Sequence, residues 1–521
     1  MIIIDNTKTH ETHDDVEAVN SSSRRQPLYA ARRKIFPKRA QGSFRTFKWV
    51  VMAITLSIYY FTPWIRWDRG PYAPDQAVLL DLSNRRFYFL FIEIWPHEFY
   101  YVAGLLVMAG VGLFLITSTV GRAWCGYACP QTVWVDLFIG VEQVIEGDRN
   151  ARIKLDAAPW SIEKVTKRLL KHGTWLLIGA ATGGAWIFYF ADAPTLAGEL
   201  LSLRAPAIAY FTIAILTATT YTFGGLMREQ VCTYMCPWPR IQGAMLDEHS
   251  LTVTYNDWRG EPRGKLAKKP VAGAKPVGDC VDCKACVVVC PMGIDIRDGQ
   301  QLECITCALC IDACDSVMDK LGRERGLISY ATLNDYSSNM RLAQDADGAI
   351  NPASVRDAAG RFVQSIKHTG WRSIVRPRTF VYLLGWSAIG LAMLVALSLR
   401  PSIGLNVLHD RNPLFVMLAD GSIQNGYDVK ILNMTQQPQE LVLTVEGLEG
   451  ATMAGPGLAD EGTSELHVSV EPDLVLPLRL YVRSPGQNLP TQSDFTMVIT
   501  SQDGAMSAST TVRFEGPEME E

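Results

Sequence analysis

Twelve cysteines hold the chemistry of this sequence, none before Cys125 and none after Cys314. Eight lie in CVDCKACVVVCP and CITCALCIDACD, which is C-x2-C-x2-C-x3-C written twice between Cys280 and Cys314. Closely spaced thiolates on a tight loop take three corners of an iron-sulfur cubane, and the fourth cysteine, on a short following helix, leads to the other cluster. The crossed assignment gives Cys280, Cys283, Cys286 and Cys314 to one 4Fe-4S centre and Cys304, Cys307, Cys310 and Cys290 to the other. C-x2-C pairs also make structural zinc sites, but zinc needs only four thiols and the duplicated pattern fits two cubanes. Pro291 follows Cys290 whereas Asp315 follows Cys314, a departure that touches the start of a helix and not ligation. Two cubanes within tunnelling range form a relay for single electrons.

The other four cysteines sit in RAWCGYACPQTVW (Cys125, Cys129) and REQVCTYMCPWPR (Cys232, Cys236), each a C-x3-C-P unit. An i, i+4 pair on a helical turn places both sulfurs on one face. The repeated spacing, with Pro130 and Pro237, reads as a parallel internal duplication offering four soft ligands. Thiols that merely pack between helices are the plainer alternative. Soft sulfur selects Cu(I), zinc or iron-sulfur over hard cations. Met227, Met235 and Met245 near the second pair tilt the choice toward copper, although Met is also common core filler. Haem is disfavoured because the eight histidines include none inside a span, and His249 reads as a solvated loop residue.

These thiols need elements to position them. The chain has 521 residues, room for about three domains. Its 48% hydrophobic and 20% charged composition and mean hydropathy of +0.07 exclude both a disordered chain and one lying wholly in a bilayer. A net charge of -4 gives no general case for binding nucleic acid, and the confined cysteines do not fit a disulfide-stapled secreted protein. Uncharged apolar runs at 49–65, 99–121, 173–191, 205–227 and 379–399 predict five transmembrane helices. The first follows 48 polar and basic residues, so it is not a signal peptide of ordinary form. Phe87–Pro96 is apolar but short and holds Glu93, which reads as an interfacial or re-entrant lead into the second span.

Lys and Arg number ten in 1–48, eight in 121–172 and twenty in 228–378, against four in 66–98, one in 192–204 and six in 400–521. This asymmetry places the N-terminus and the cluster region in the cytoplasm and the tail outside. The basic run Arg24, Arg25, Arg32, Arg33, Lys34, Lys38 and Arg39 then needs only anionic lipid as its partner. Met1–Ser23 has few apolar residues after Ile4 and is expected to be disordered.

The organisation predicted is a basic segment 1–48, a four-helix membrane domain 49–227 carrying both C-x3-C-P units, and a cytoplasmic region 228–378 with a ferredoxin core about 270–325. A fifth span at 379–399 and an outer domain 403–515 complete it. In that outer domain, alternating runs at Val429–Leu432, Glu440–Val445, Glu465–Val470, Leu476–Val482, Phe495–Thr500 and Ser509–Phe514 predict a small immunoglobulin-like β-sandwich. The fold class is therefore a multi-domain membrane protein, with a bacterial-type two-cluster ferredoxin domain (α+β) inside and a periplasmic β-sandwich outside. His409 and His467 stand far apart in sequence and make no metal-ligand cluster there.

At GRAWCGYACPQTVW, REQVCTYMCPWPRIQGAMLD, VGDCVDCKACVVVCPMGIDIRDGQQLECITCALCIDACD and RPRTFVY the sequence resembles the FixG/RdxA/CcoG family, membrane iron-sulfur accessory proteins for cbb-type cytochrome c oxidase. The resemblance covers most of the chain, except for the N-terminal 23 residues. It implies five spans in the bacterial inner membrane, two cytoplasmic 4Fe-4S clusters, and reduction of Cu(II) to Cu(I) for oxidase assembly. It also implies a copper-exporting P-type ATPase as a neighbour, and a metal role for Cys125, Cys129, Cys232 and Cys236.

The resulting expectation is a cupric reductase in which electrons from an unidentified donor pass through the clusters to the paired thiols, where copper ion is reduced. One rival is a quinol-linked electron-transfer module of the nitrate or nitrous oxide reductase type. The other is a non-redox copper-holding scaffold with structural clusters. No G-x-G-x-x-G fingerprint follows a strand, so the sequence carries no flavin or nicotinamide signature for the donor. The outer domain is expected to contact partly assembled oxidase subunits.

Overall fold

The computed structural model describes residues 34–264, 277–345, 347–357, 361–367, 369–370, 374–456, 459–485 and 492–517. Met1–Ser23 and Arg24, Arg25, Arg32 and Arg33 of the basic run lie outside the described residues. The chain divides into two compact units. One is Met1–Ile65 with Val78–Leu391, and the other is Arg66–Ala77 with Ala392–Glu521.

A helix stands at each of the five apolar stretches: Ser43–Phe61, Tyr100–Val120, Ile162–Ile187, Ala207–Thr220 and Pro377–Ser398. Three segments, Pro96–Val120, Ala207–Met227 and Pro377–Ser398, are long and apolar enough to cross a membrane. Ser43–Phe61 and Ile162–Ile187 differ because they carry charge, and the structure shows what meets it. Arg45 and Lys48 reach Asp136 of the helix Pro130–Ile145 at 2.7 and 3.5 Å. Lys171 reaches Glu142 and Glu146 at 3.3 and 3.0 Å. Arg376 and Arg378, the arginines of RPRTFVY, ion-pair with Asp247 at 2.7 and 3.0 Å and tie the last helix to the loop after the second C-x3-C-P unit.

Phe87–Pro96 is not a re-entrant lead. Strands β1 (Val78–Asp81), β2 (Arg86–Phe89) and β3 (Ile92–Ile94) form an antiparallel sheet there, and Arg86 meets Glu93 across it at 3.2 Å. The paired strands satisfy backbone groups that a short apolar run would leave open, and the ion pair neutralises the acid.

The cluster region is closed by an antiparallel pair, β4 (Thr252–Tyr255) and β5 (Ile328–Ala331), with the short helices Ala285–Val288 and Leu309–Lys320 between them in sequence. Its apolar core joins Val253, Tyr255, Ile311, Met318, Leu327 and Ile328 to Cys280, Cys286 and Cys314.

The second unit is a β-sandwich. Its strands are β6 (Ile403–His409), β7 (Val416–Met417), β8 (Ile423–Asn433), β9 (Gln439–Glu446), β10 (Thr452–Gly455), β11 (Ala459–Thr463), β12 (Glu465–Val470), β13 (Leu474–Ser484), β14 (Gln492–Ser501) and β15 (Ser507–Glu515). One sheet runs β11-β10-β13-β8-β6 with β7 beside β8, and the other runs β12-β9-β14-β15. Each of the six alternating runs read from sequence lies within one of these strands. The period-two alternation of β12, Leu466, Val468 and Val470 in and their neighbours out, buries one face against the other sheet.

Candidate functional site

The two cluster loops fold alike because the same two backbone positions take the left-handed conformation in each. Asp282 and Lys284 (φ 52° and 53°) flank Cys283, and Thr306 and Ala308 (φ 58° and 59°) flank Cys307. Non-glycine residues at positive φ are strained, and the repetition of two such residues in both loops marks a conformation that the site requires. The thiols then ring two apolar spaces. Cys290, Cys304, Cys307 and Cys310 line one, walled by Met292, Ile294, Ile305 and Leu309. Cys280, Cys283 and Cys314 line the other with Tyr255, Met318 and Leu327, and Cys286 lines both. Burial pushes the Cys290 and Cys314 thiols up to about 12 and Cys304 up to about 11. Such neutral thiols lose their protons to a metal on ligation. Sulfurs around cavities that are mostly apolar, with Lys284 and Arg297 also lining the one that holds Cys280, fit iron-sulfur clusters.

The C-x3-C-P units are also copies in three dimensions. Each begins with a residue at positive φ four positions before its first cysteine, Gly121 (φ 63°) and Arg228 (φ 46°). Each then makes one π-helical turn, closed by Cys129 N–H donating to Trp124 O at 2.9 Å and by Cys236 N–H donating to Val231 O at 2.8 Å. The second cysteine leaves the helical region at ψ 129° and 123°, where the following proline requires extended backbone. Gly121 admits no substitute, since a Cβ there would stand 2.0 Å from Leu251 O. Gln131, just after the first unit, donates to Phe223 O at 2.9 Å and Arg228 O at 3.2 Å, which draws the two copies together.

All four thiols stand in one another's field. Burial pushes Cys125 up to about 12 against the pull of Arg122, and Cys129, Cys232 and Cys236 push the same way. Burial likewise raises Cys232 to about 12, with Cys129 and Cys236 adding to it. Cys125 Sγ donates to Gln242 Oε1 at 3.0 Å, and Gln242, fully buried, donates on to Thr117 Oγ1 at 3.2 Å. Among the described residues no three His, Cys, Asp or Glu side chains converge as they do around a single ion. Met235 is 52% exposed, and His249 is exposed. His409 bonds Asn425 at 2.7 Å on the first sheet of the sandwich, and His467 lies on the other.

The structure brings the thiol units onto the second cluster loop. Cys125 and Cys232 pack in one apolar cluster with Cys290, Cys304, Cys307, Cys310, Ile305 and Met292. Gly126 lies so close to that loop that a Cβ would stand 2.7 Å from Ile305 O. Tyr127 Oη donates to Cys307 O at 3.2 Å, and Tyr330 Oη donates to Thr306 O at 2.9 Å, with 3.3 Å between the two hydroxyls. Arg122 donates to Leu302 O. Sequence reasoning missed Gln242, Arg122, Tyr127, Tyr330 and Gly126. The last two residues of C-G-Y were inside the quoted motif, but nothing in their spacing announces a partner about 180 residues on.

Residues 227–333 match a family model described as a 4Fe-4S dicluster domain, residues 102–144 one described as a 4Fe-4S binding domain, and residues 393–517 one described as the IG-like fold at the C-terminal of FixG. The nitrogen fixation protein FixG of Rhizobium meliloti is 65% identical over 486 residues, 93% of each chain. The chain belongs to the FixG family. Two further members, RdxA and RdxB of Cereibacter sphaeroides, are 52% and 55% identical, over 90% and 87% of this chain and 93% and 90% of theirs. A crystal structure of a FixG-related protein from Vibrio parahaemolyticus covers 22% of this chain and 97% of its own, at 26% identity and a TM-score of 0.19. This chain joins 4Fe-4S domains and apolar helices to an immunoglobulin-like tail, the equipment of an iron-sulfur electron-transfer protein.

Proposed function

We propose that this FixG-family protein reduces Cu(II) to Cu(I) at the cytoplasmic face of the bacterial inner membrane, for assembly of cbb-type cytochrome c oxidase. The observation that carries this reading is the packing of one cysteine from each C-x3-C-P pair against the Cys304–Cys310 loop in a single apolar cluster. Cys280, Cys283, Cys286 and Cys314 would hold one 4Fe-4S cluster, and Cys290, Cys304, Cys307 and Cys310 the other. Bound there, the clusters supply one-electron redox chemistry. The chain supplies the rest: Ile305, Met292 and Leu309 exclude water, and the four paired thiols present soft sulfur to copper. Soft, low-coordinate sulfur favours Cu(I) over Cu(II), so ligation and reduction pull the same way. Each event adds one electron to one Cu(II) ion.

The same reading has five spans, with the N-terminus and clusters in the cytoplasm and the sandwich in the periplasm, as the Lys/Arg asymmetry supports. Cu(I) would pass to a copper-exporting P-type ATPase, and the sandwich would contact partly assembled oxidase subunits. Replacing Cys129 or Cys236 by Ala is expected to abolish copper reduction by anaerobically purified protein while its iron-sulfur absorbance and iron content stay at the parental level. Variants that reduce Cu(II) at the parental rate would overturn the assignment.

A further inference from the structure

The two cluster cavities have unlike surroundings. Cys283, on the rim of the first, is exposed, the one cysteine of the twelve that is. The first thiol unit packs on the loop that lines the second, through Gly126 against Ile305 O, Tyr127 on Cys307 O and Arg122 on Leu302 O. The apolar cluster that holds Cys125 and Cys232 contains Cys290, Cys304, Cys307 and Cys310, and none of Cys280, Cys283, Cys286 or Cys314. Cys286 lines both cavities and so joins them. Electron tunnelling falls off steeply with distance and favours packed, hydrogen-bonded paths, and such a path leaves the second cavity toward the thiols at Cys307–Tyr127 and Ile305–Gly126.

We infer that electrons cross this chain in one order: in at the Cys280/Cys283/Cys286/Cys314 set, on across Cys286, and out from the Cys290/Cys304/Cys307/Cys310 set to the paired thiols. The donor is a reduced one-electron carrier protein that docks on the exposed Cys283 edge. Each passage oxidises that carrier by one electron and reduces one Cu(II) to Cu(I), with no proton transfer required. Tyr127 is a positioning residue in this scheme, because its hydroxyl fixes the first thiol turn to the Cys307 carbonyl. The order rests on the proposed role of the clusters and thiols as a redox chain.

The test uses full-length, anaerobically purified protein, a reduced two-cluster ferredoxin as the donor, and Cu(II) as the acceptor. Direct reaction of Cu(II) with an exposed cluster is removed by subtracting the rate that persists in Cys129→Ala. Of the variants Cys283→Ala and Cys304→Ala, the second is expected to show at least tenfold slower reoxidation by Cu(II) than the first, and the first at least tenfold slower reduction by ferredoxin than the second. The reverse pattern, or equal rates, overturns the order. Where either variant fails to hold iron, Tyr127→Phe gives the second arm: it is expected to slow reoxidation at least threefold more than reduction, and to alter one of the two cluster signals in the electron paramagnetic resonance spectrum of the reduced protein. Slower reduction without slower reoxidation, or an unchanged spectrum, overturns it. If the parent passes electrons to a water-soluble quinone and not to Cu(II), the copper reading falls, and the same comparisons with the quinone as oxidant still test the order.

Discussion

Gly121 and Arg228 occupy the same place in the two thiol units, and the contrast between them shows how one backbone shape is reached from different residues. Glycine takes the left-handed conformation freely. Arginine at φ 46° is strained, and its side chain is held in compensation: the guanidinium meets Glu142 at 2.7 Å, donates to Gly225 O at 2.8 Å and lies 5.3 Å from the Trp175 ring centre. Arg228→Gly would relieve about 1 kcal/mol of strain but strip a partner from a buried carboxylate, a loss of about 3 kcal/mol. The expected outcome is a protein less stable by about 2 kcal/mol in denaturant titration. A gain in stability would show that the clamp is dispensable. At this scale the twelve cysteines were legible because ligand spacing is local. Gln242, buried against Cys125, was not, because a glutamine reads as polar surface until the fold encloses it.

The elements beneath the thiols are held by charge as much as by apolar packing. The helices Pro130–Ile145 and Ile162–Ile187 join through Glu142, which reaches Arg152 at 3.0 Å, Lys171 at 3.3 Å and Arg228 at 2.7 Å. Burial by itself would raise the Glu142 carboxyl, but Arg228, Lys171 and Arg152 outweigh it and hold the group down at about 2. A carboxyl lowered on folding stabilises the protein above its unfolded value of about 4.3, and that contribution is lost as pH falls toward 2. A shift of about two pH units corresponds to about 3 kcal/mol. Glu142→Gln is therefore expected to be destabilised at pH 7 and to show a flatter dependence of stability between pH 5 and pH 3 than the parent, read by thermal unfolding at each pH. Equal slopes would place the acid sensitivity elsewhere. Hydropathy located Ser43–Phe61 and Ile162–Ile187, but not the reason that they tolerate Arg45, Lys48 and Lys171, which is the acids on a third helix.

At the scale of the whole molecule, two units with separate cores carry separate properties. All twelve thiols belong to the first, and none to the unit formed by Arg66–Ala77 and Ala392–Glu521. The sandwich is stitched internally by Tyr427, whose hydroxyl donates to Arg513 O at 2.7 Å between its two sheets, beside Phe495 and Phe514. Tyr427→Phe leaves that carbonyl without its partner and is expected to cost the sandwich about 1–2 kcal/mol. Circular dichroism should then show the β signal melting earlier while the iron-sulfur absorbance melts at the parental temperature. A joint shift of both signals would show that the two units unfold together.

The sequence alone determined the number and spacing of the cysteines, the duplication of each motif, the apolar stretches and the six principal strands of the tail. All of these rest on spacing within a dozen or two residues, where thiol reach, helical period and strand alternation act. Only the tertiary structure decided which cysteines share a cavity, that the short apolar run at Phe87 is a strand, and that the first thiol turn sits on the second cluster loop. Those outcomes depend on where distant backbone carbonyls such as Ile305 O and Cys307 O come to rest. A backbone atom has the same chemistry in every residue, so a sequence marks its role only when folding puts a glycine or a hydroxyl against it.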